Sequence, residues 1–150
     1  MKNIKFLKHN IIAFLGIILM MSCTIEPEAI NYGKDNCQFC KMTIMDNKYG
    51  CELVTQKGKN FKFDDVSCMI KYINISEQTP KDYAHIVVNG YDKPTALIDV
   101  DKLYFLISPK FSSPMMGNVA AFTEEKQANE ILKKDREAKK YSWNELVKKF

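Results

Sequence analysis

Apolar and polar residues are spaced as in β-strands along residues 49–56 and 60–63, and Gly58 lies in the short turn between them. This pattern predicts a hairpin. The residues that follow predict a helix capped by Asp64. Four apolar residues recur there at the spacing of one helix face: Val66, Met69, Ile70 and Ile73.

The second half repeats this order of elements. Strands are predicted at 84–88, 103–107 and 118–122, and Thr123 is a candidate cap for a helix that runs to about Lys134. Ser142 and Glu145 have the spacing of a capping box for a last short helix. The chain therefore predicts an α+β fold of two small strand-strand-helix repeats with antiparallel pairing, divided into residues 36–80 and 81–150.

The amino-terminal residues have the pattern of a bacterial signal peptide. Basic residues precede an apolar run over residues 11–21, which is too short to span a bilayer comfortably. Ser22 directly precedes Cys23, and this arrangement resembles the lipobox of bacterial lipoproteins. We expect residues 1–22 to be removed, Cys23 to carry lipid and residues 23–35 to form a tether, so that the protein is exported and anchored to a bacterial membrane, facing the periplasm.

Charge argues against a nucleic-acid partner. The formal net charge is +4, and loss of the three lysines of residues 1–22 lowers it to about +1. No concentrated basic stripe remains, and the pairs at 133–134 and 139–140 are interpreted as the solvated sides of helices.

Beyond Cys23 the chain has four cysteines, and their chemistry is open at this point. They are Cys37, Cys40, Cys51 and Cys68. Disulfide pairing, a structural zinc site on all four, and thiol-disulfide exchange at the C-x-x-C pair are each consistent with the residue types. Cys68 is interpreted as a structural thiol in preference to a metal ligand.

Methionines add a further alternative. If Lys41 is extended, the side chains of Cys40 and Met42 project from the same face of the chain. A thiolate and a thioether together favour Cu(I) over hard ions. Met115 and Met116 lie in a loop between Pro114 and Gly117, from which a further sulfur could reach this pair. His85, at a predicted strand start, is a candidate additional donor because imidazole also binds copper.

These motifs, taken in order, resemble the NosL family of nitrous oxide reductase accessory lipoproteins. The resemblance covers residues 35–132 and rests on these elements: Cys37-x-x-Cys40-Lys41-Met42-x-Ile44, Tyr49-Gly50, Phe63-Asp64-Asp65-x-x-Cys68-Met69, Ser113-Pro114-Met115 and Ala120-Ala121-Phe122. It implies a membrane-anchored copper chaperone that binds Cu(I) and passes it, with an ABC-transporter assembly, toward the copper centres of nitrous oxide reductase. Independently of the resemblance, we expect the protein not to be an enzyme, because the sequence offers no Ser-His-Asp order, phosphate-binding glycine loop or histidine-rich catalytic cluster. It also implies a two-part α+β fold similar to the scaffold of organomercurial lyase.

The resemblance further implies a set of site residues. Cys40, Met42 and Met115 match the family's donors, and Cys37 is a ligand or a redox partner of Cys40. Two positions depart from the family pattern. Lys41 stands where many relatives have glycine, and Met116-Gly117 changes the register after Met115, so Met116 stays an alternative donor. An exported thiol-disulfide oxidoreductase and a structural zinc module are kept as alternative functions.

Overall fold

The computed structural model describes residues 25–150, so the predicted signal peptide and Cys23 lie outside the described part of the chain. Two groups of strands are each followed by a helix. The strands are β1 (Cys51–Thr55), β2 (Asn60–Phe63), β3 (Tyr83–Asn89), β4 (Leu97–Asp99), β5 (Tyr104–Ile107), β6 (Val119–Phe122) and β7 (Lys139–Tyr141). The helices are α1 (Val66–Ile75), α2 (Glu125–Lys134) and α3 (Trp143–Lys149), with short 3-10 turns at Pro80–Asp82 and Val100–Lys102.

The strands form two antiparallel sheets, with orders β2-β1-β3-β4 and β6-β5-β7. The predicted α+β class, the antiparallel pairing and the repeated strand-strand-helix order are therefore confirmed. Strand β3 follows residue 80 but pairs with β1, with Cys51 opposite Val88. The first sheet thus crosses the predicted division at residues 80 and 81, and that division stays a prediction.

Helix α1 covers the first sheet with the predicted apolar stripe. All four residues of the stripe are at most 2% exposed, and the helix packs across β1 and β2. Burying a side chain of this size contributes roughly 1.5 to 3 kcal/mol before entropy costs. The predicted cap was one residue early, because Asp65 is the N-cap and its carboxylate accepts a hydrogen bond from the Cys68 N–H at 3.0 Å.

The second sheet is buried on both faces. Successive strand residues point to opposite sides. Phe105 and Ala121, which are cross-strand partners, face the core shared with α3, while Leu106 and Ala120 face a smaller cluster under α2. Both faces being covered explains why β6 is entirely apolar and does not alternate.

Three local predictions were wrong or incomplete. Thr123 does not cap α2, because its hydroxyl donates to Asp92 at 2.6 Å and Glu124 occupies the N-cap position. Strands β4 and β7 were not predicted, since each has three residues and too short a pattern. The lysines at 139–140 lie on β7, an edge strand, where charged side chains are common. The Ser142–Glu145 capping box is confirmed.

Residues 25–35, part of the predicted tether, lie against the first sheet. Ile30 is buried in the core, the Glu28 N–H donates to Glu52 at 3.0 Å, and Lys62 Nζ donates to the Ala29 carbonyl at 2.9 Å. Within residues 25–150, none of the helices has the length and apolar character needed to cross a membrane.

Candidate metal centre

A tight turn presents the first two cysteines. Asn36 and Thr43 form a β-bridge, the Cys37 N–H donates to the Met42 carbonyl at 2.8 Å, and the Lys41 N–H donates back to the Cys37 carbonyl at 2.9 Å. Closing this loop requires Lys41 to adopt a φ of 65°, in the left-handed region. Lys41 is therefore not extended, so the condition under which alternation would place the side chains of Cys40 and Met42 on one face is not met.

The left-handed φ of Lys41 carries a steric cost. Glycine enters the left-handed region without the steric cost that a Cβ brings, whereas lysine enters it at roughly 1 to 2 kcal/mol. The chain keeps the turn despite this cost, because hydrogen bonds at both ends of the loop hold it closed.

The third thiol comes from α1. Cys68 is the third residue of the helix, so Asp65 fixes its backbone, and its side chain meets the turn. The Sγ atoms of Cys37, Cys40 and Cys68 all lie within 4.8 Å of one another, and all three cysteines are free. Cys37 and Cys68 are buried, at 0% and 1% exposure, whereas Cys40 is half-buried and forms the accessible side of the group.

Electrostatics distinguish these three thiols. The Cys68 thiol hydrogen-bonds to the Cys37 sulfur, which lowers the pKa of Cys37 to about 5. Burial opposes this shift, and backbone hydrogen bonds from Cys40, Asp64 and Phe39 add to it. The same contact raises the pKa of Cys68, and burial raises the pKa of Cys40. Cys37 is therefore the thiol of the group that ionises most readily, and a metal that binds all three as thiolates must displace protons.

The methionine loop is held to the same helix end by Asp65. The Asp65 carboxylate accepts hydrogen bonds from Ser67 Oγ at 2.7 Å, from Ser113 Oγ at 2.8 Å and from the Met115 N–H at 3.2 Å. Asp65 is 1% exposed, so these bonds are shielded from water. One buried carboxylate therefore fixes the backbone of both Cys68 and Met115.

Gly117 allows this close approach. A Cβ at this position would lie 2.6 Å from Ser67 Cβ and 2.8 Å from Ser67 Oγ, which is closer than such atoms can stand. The loop can therefore pack on the first turn of α1 only with glycine here. This residue and Asp65 were visible in the sequence, but their roles depend on a contact between distant segments.

A second acidic residue lies next to the cysteines. Asp64 is 2% exposed, and its Oδ1 has no hydrogen-bond partner. Burial, followed by the negative charge at Cys37, raises the pKa of Asp64 to about 6. A buried carboxyl group with one unpartnered oxygen beside the cysteines adds negative potential to the site, which favours a cation.

The other predicted donors differ in their exposure and in their contacts. Met115 is half-buried against the main core, whereas Met42 and Met116 are 56% and 84% exposed. His85 lies on β3, with Nε2 3.1 Å from the Ile25 carbonyl and Nδ1 3.8 Å from Asp99. His85 therefore has partners outside the cysteine group.

The third member of the group, Cys68, was interpreted in the sequence as a structural thiol. Its position at the start of α1, where helix geometry places it outside the apolar stripe, was the available signal.

Cys51 is fully buried on β1 and is not part of the group, so the structure does not assemble the four-cysteine zinc site considered above. The C-x-x-C pair lies in a turn, whereas thiol-disulfide oxidoreductases place theirs at a helix start.

Comparisons with known proteins agree on one family. A sequence model of NosL matches residues 9–149. The crystal structure of the copper chaperone NosL from Shewanella denitrificans matches with a TM-score of 0.69 at 18% identity, over 82% of this chain and 96% of that chain. No curated protein matches the sequence significantly.

Proposed function

Because the chain belongs to the NosL family, we propose that it is a copper chaperone that binds Cu(I) on its sulfur ligands and delivers the ion to a copper enzyme. Family membership confirms the resemblance indicated by the ordered motifs. The observation that carries the proposal is the approach of three free cysteine sulfurs within 4.8 Å of one another, one of them half-buried at the surface. Thiolates and thioethers are soft ligands, which favour Cu(I).

The proposed donors follow the sequence prediction. Cys40 is the central ligand because it is the accessible thiol of the group, and Cys37 is the adjacent thiolate. Met42 and Met115 are proposed to add thioethers. Asp65 supports a role for Met115, since it fixes the Met115 backbone at the helix end that carries Cys68. Met116 and His85 stay predictions, and neither has a contact that favours a ligand role.

A delivery role accounts for the mixture of buried and exposed donors. Buried thiolates exclude water and hold a soft ion, whereas a half-buried Cys40 and an exposed Met42 can be approached by another protein. An acceptor can then replace the ligands one at a time. This use of the site needs binding and release and no covalent step, so the proposal is a non-catalytic carrier.

Copper binding is tested by titrating the purified, reduced protein with Cu(I) against a chromogenic Cu(I) chelator. We expect about one tightly bound ion per chain, and sharply weaker binding in Cys40→Ala and Met42→Ala. Cys51→Ala is the matched control, because Cys51 is buried outside the group. Equal affinity in all four proteins would reject the proposed site.

We also propose the cellular setting that the sequence predicts. Residues 1–22 would direct export, acylated Cys23 would anchor the protein to a membrane facing the periplasm, and the partners would be nitrous oxide reductase and its ABC-transporter assembly. Membrane fractionation of wild type and Cys23→Ala tests the anchor, which should be lost in the variant. Copper content of nitrous oxide reductase from cells lacking this chain tests the client. A normal content would reject it.

A further inference from the structure

We propose that Cys68 is the third thiolate ligand of an inner metal position, formed with Cys37 and Cys40, which holds a soft monovalent cation. This inference rests on the proposed function, because it assigns a ligand of the same copper site. It adds Cys68 to the proposed donors, so that three thiolates can hold the ion, and it gives Cys40 a second role.

Distances support a shared ion. A metal–thiolate bond is about 2.3 Å long, so two thiolates on one ion stand roughly 4 Å apart. The three Sγ atoms already lie within 4.8 Å of one another in the absence of a metal. A contraction of less than about 1 Å would place them all on one ion, and side-chain rotation supplies movements of this size.

The backbone around the three sulfurs is fixed before metal arrives. The Cys37 N–H is bound to the Met42 carbonyl, the Gln38 N–H to the Lys62 carbonyl on β2, and the Cys68 N–H to Asp65. Cys37 and Cys40 are therefore held by the turn, and Cys68 is held by the helix. Such preorganisation reduces the entropy lost on binding.

The surroundings offset part of the charge of a thiolate cluster. Cys68 lies in the first turn of α1, a ten-residue helix, where the helix dipole favours negative charge. This end of the helix therefore favours a thiolate at Cys68, in agreement with a ligand role for that residue.

The donor count selects the class of ion. Structural zinc is almost always held by four thiolate or imidazole ligands, and the described residues bring three such donors together here. Soft donors select Cu(I), so we expect Cu(I), and its soft congener Ag(I), to bind in this position.

Cys40 then belongs to two donor sets. With Cys37 and Cys68 it forms the inner position, and with Met42 and Met115 it forms the proposed outer one. Cys40 is half-buried and Met42 is 56% exposed, so the outer set lies toward the solvent. An ion can move outward by keeping Cys40 while thioethers replace the two buried thiolates, which gives delivery a ligand-exchange route.

The test compares Cys68→Ser with Cys51→Ala in the Cu(I) titration of the reduced protein, with Ag(I) as a second probe. Loss of an outer-shell partner already weakens metal binding about 10- to 100-fold, so we expect at least about a tenfold loss in Cys68→Ser. Cys51→Ala should bind as wild type does. Wild-type affinity in Cys68→Ser overturns the inference, even if Cys40→Ala has lost binding.

A second measurement does not depend on the folding of Cys68→Ser. X-ray absorption of the Cu(I)-loaded Met42→Leu/Met115→Leu variant counts the sulfurs on the ion. Three sulfurs, as the grouped cysteines predict, support the inner position. A smaller count overturns it. If wild type binds no Cu(I), the proposed function fails as well, so the two failures are distinguishable.

Discussion

The carboxylate of Asp65 accepts a hydrogen bond at 3.2 Å from the backbone N–H of Met115, fifty residues further along the chain. The same carboxylate accepts from the Cys68 N–H at 3.0 Å. A single buried acid therefore joins a thiol from the first half to a thioether from the second. We infer that Asp65 is a positioning residue for the copper site.

Asp65→Asn should weaken Cu(I) binding through Met115. An amide has one acceptor oxygen in place of two, so either the loop or the helix end loses its hydrogen-bond acceptor. The free energy of unfolding should fall by about 1 to 3 kcal/mol. Cu(I) titration of Asp65→Asn, Met115→Leu and the double variant measures the coupling. The Asp65→Asn effect on affinity should shrink in the Met115→Leu background. Full additivity would contradict positioning through Met115.

A matched control is Asp135→Asn. Asp135 is also a buried carboxylate and accepts a hydrogen bond from Ser108 Oγ, but it lies after α2 and outside the cysteine group. We expect Asp135→Asn to lower the melting temperature and to leave Cu(I) affinity unchanged. A comparable loss of affinity in this variant would show that the Asp65 effect is only a loss of stability.

Gly117→Ala should displace the methionine loop. The added Cβ would lie 2.6 Å from Ser67 Cβ, and overpacking of this kind costs about 1 to 3 kcal/mol. Denaturant unfolding measures the cost and Cu(I) titration measures the effect on the site. Ser67→Gly in the same chain removes both clashing atoms and should restore affinity. If Gly117→Ala binds Cu(I) as wild type does, the loop position does not matter for binding.

Substitutions of Lys41 test the turn that carries Cys40. Lys41→Gly removes a left-handed lysine at φ 65° and should raise stability by up to about 1 kcal/mol, after the entropy cost of glycine. Lys41→Val should lower it, because a β-branched residue tolerates this region poorly. Denaturant unfolding of the two variants gives the comparison, and the reverse order would contradict the turn geometry.

The buried carboxyl of Glu52 predicts how stability depends on pH. Glu52 is 0% exposed, its Oε2 has no hydrogen-bond partner, and burial raises its pKa from 4.5 to about 7. Because the acid ionises more readily in the unfolded protein, the free energy of unfolding falls as pH rises from 4.5 to about 7. Above that range the destabilisation of the folded state is complete.

Glu52→Gln removes this penalty. Near pH 8 the variant should be more stable than wild type by roughly 1 to 3 kcal/mol, whereas near pH 4 the two should be similar. Urea unfolding across this range measures the difference. A gap between the proteins that stays constant with pH would show that Glu52 does not titrate in this way.

Short-range patterns predicted most of the fold. The stripe of α1, the hairpin of β1 and β2 and the Ser142–Glu145 box depend on residues close in sequence, and they were predicted correctly. Strands β4 and β7 were missed because pairing with longer neighbours, rather than their own three residues, holds them in place. The pairing of β3 with β1 is likewise a long-range contact.

The site was predicted less completely for the same reason. The motifs identified Cys40, Met42 and Met115 as candidate ligands. The alternation expected for an extended Lys41 does not apply, because hydrogen bonds close a turn there. Cys68 joins the group only when α1 packs beside that turn. The spacing of residues along the chain does not reveal such a long-range contact.

Copper binding by the cysteine group is tested most directly by the affinity of Cys40→Ala for Cu(I), measured beside wild type and Cys51→Ala under fully reducing conditions. Cys40 is the accessible member of the cysteine group, whereas Cys51 is buried outside it. Wild type and Cys51→Ala should each bind about one Cu(I) tightly, and Cys40→Ala should bind it at least about tenfold more weakly. Equal binding by all three proteins would contradict it.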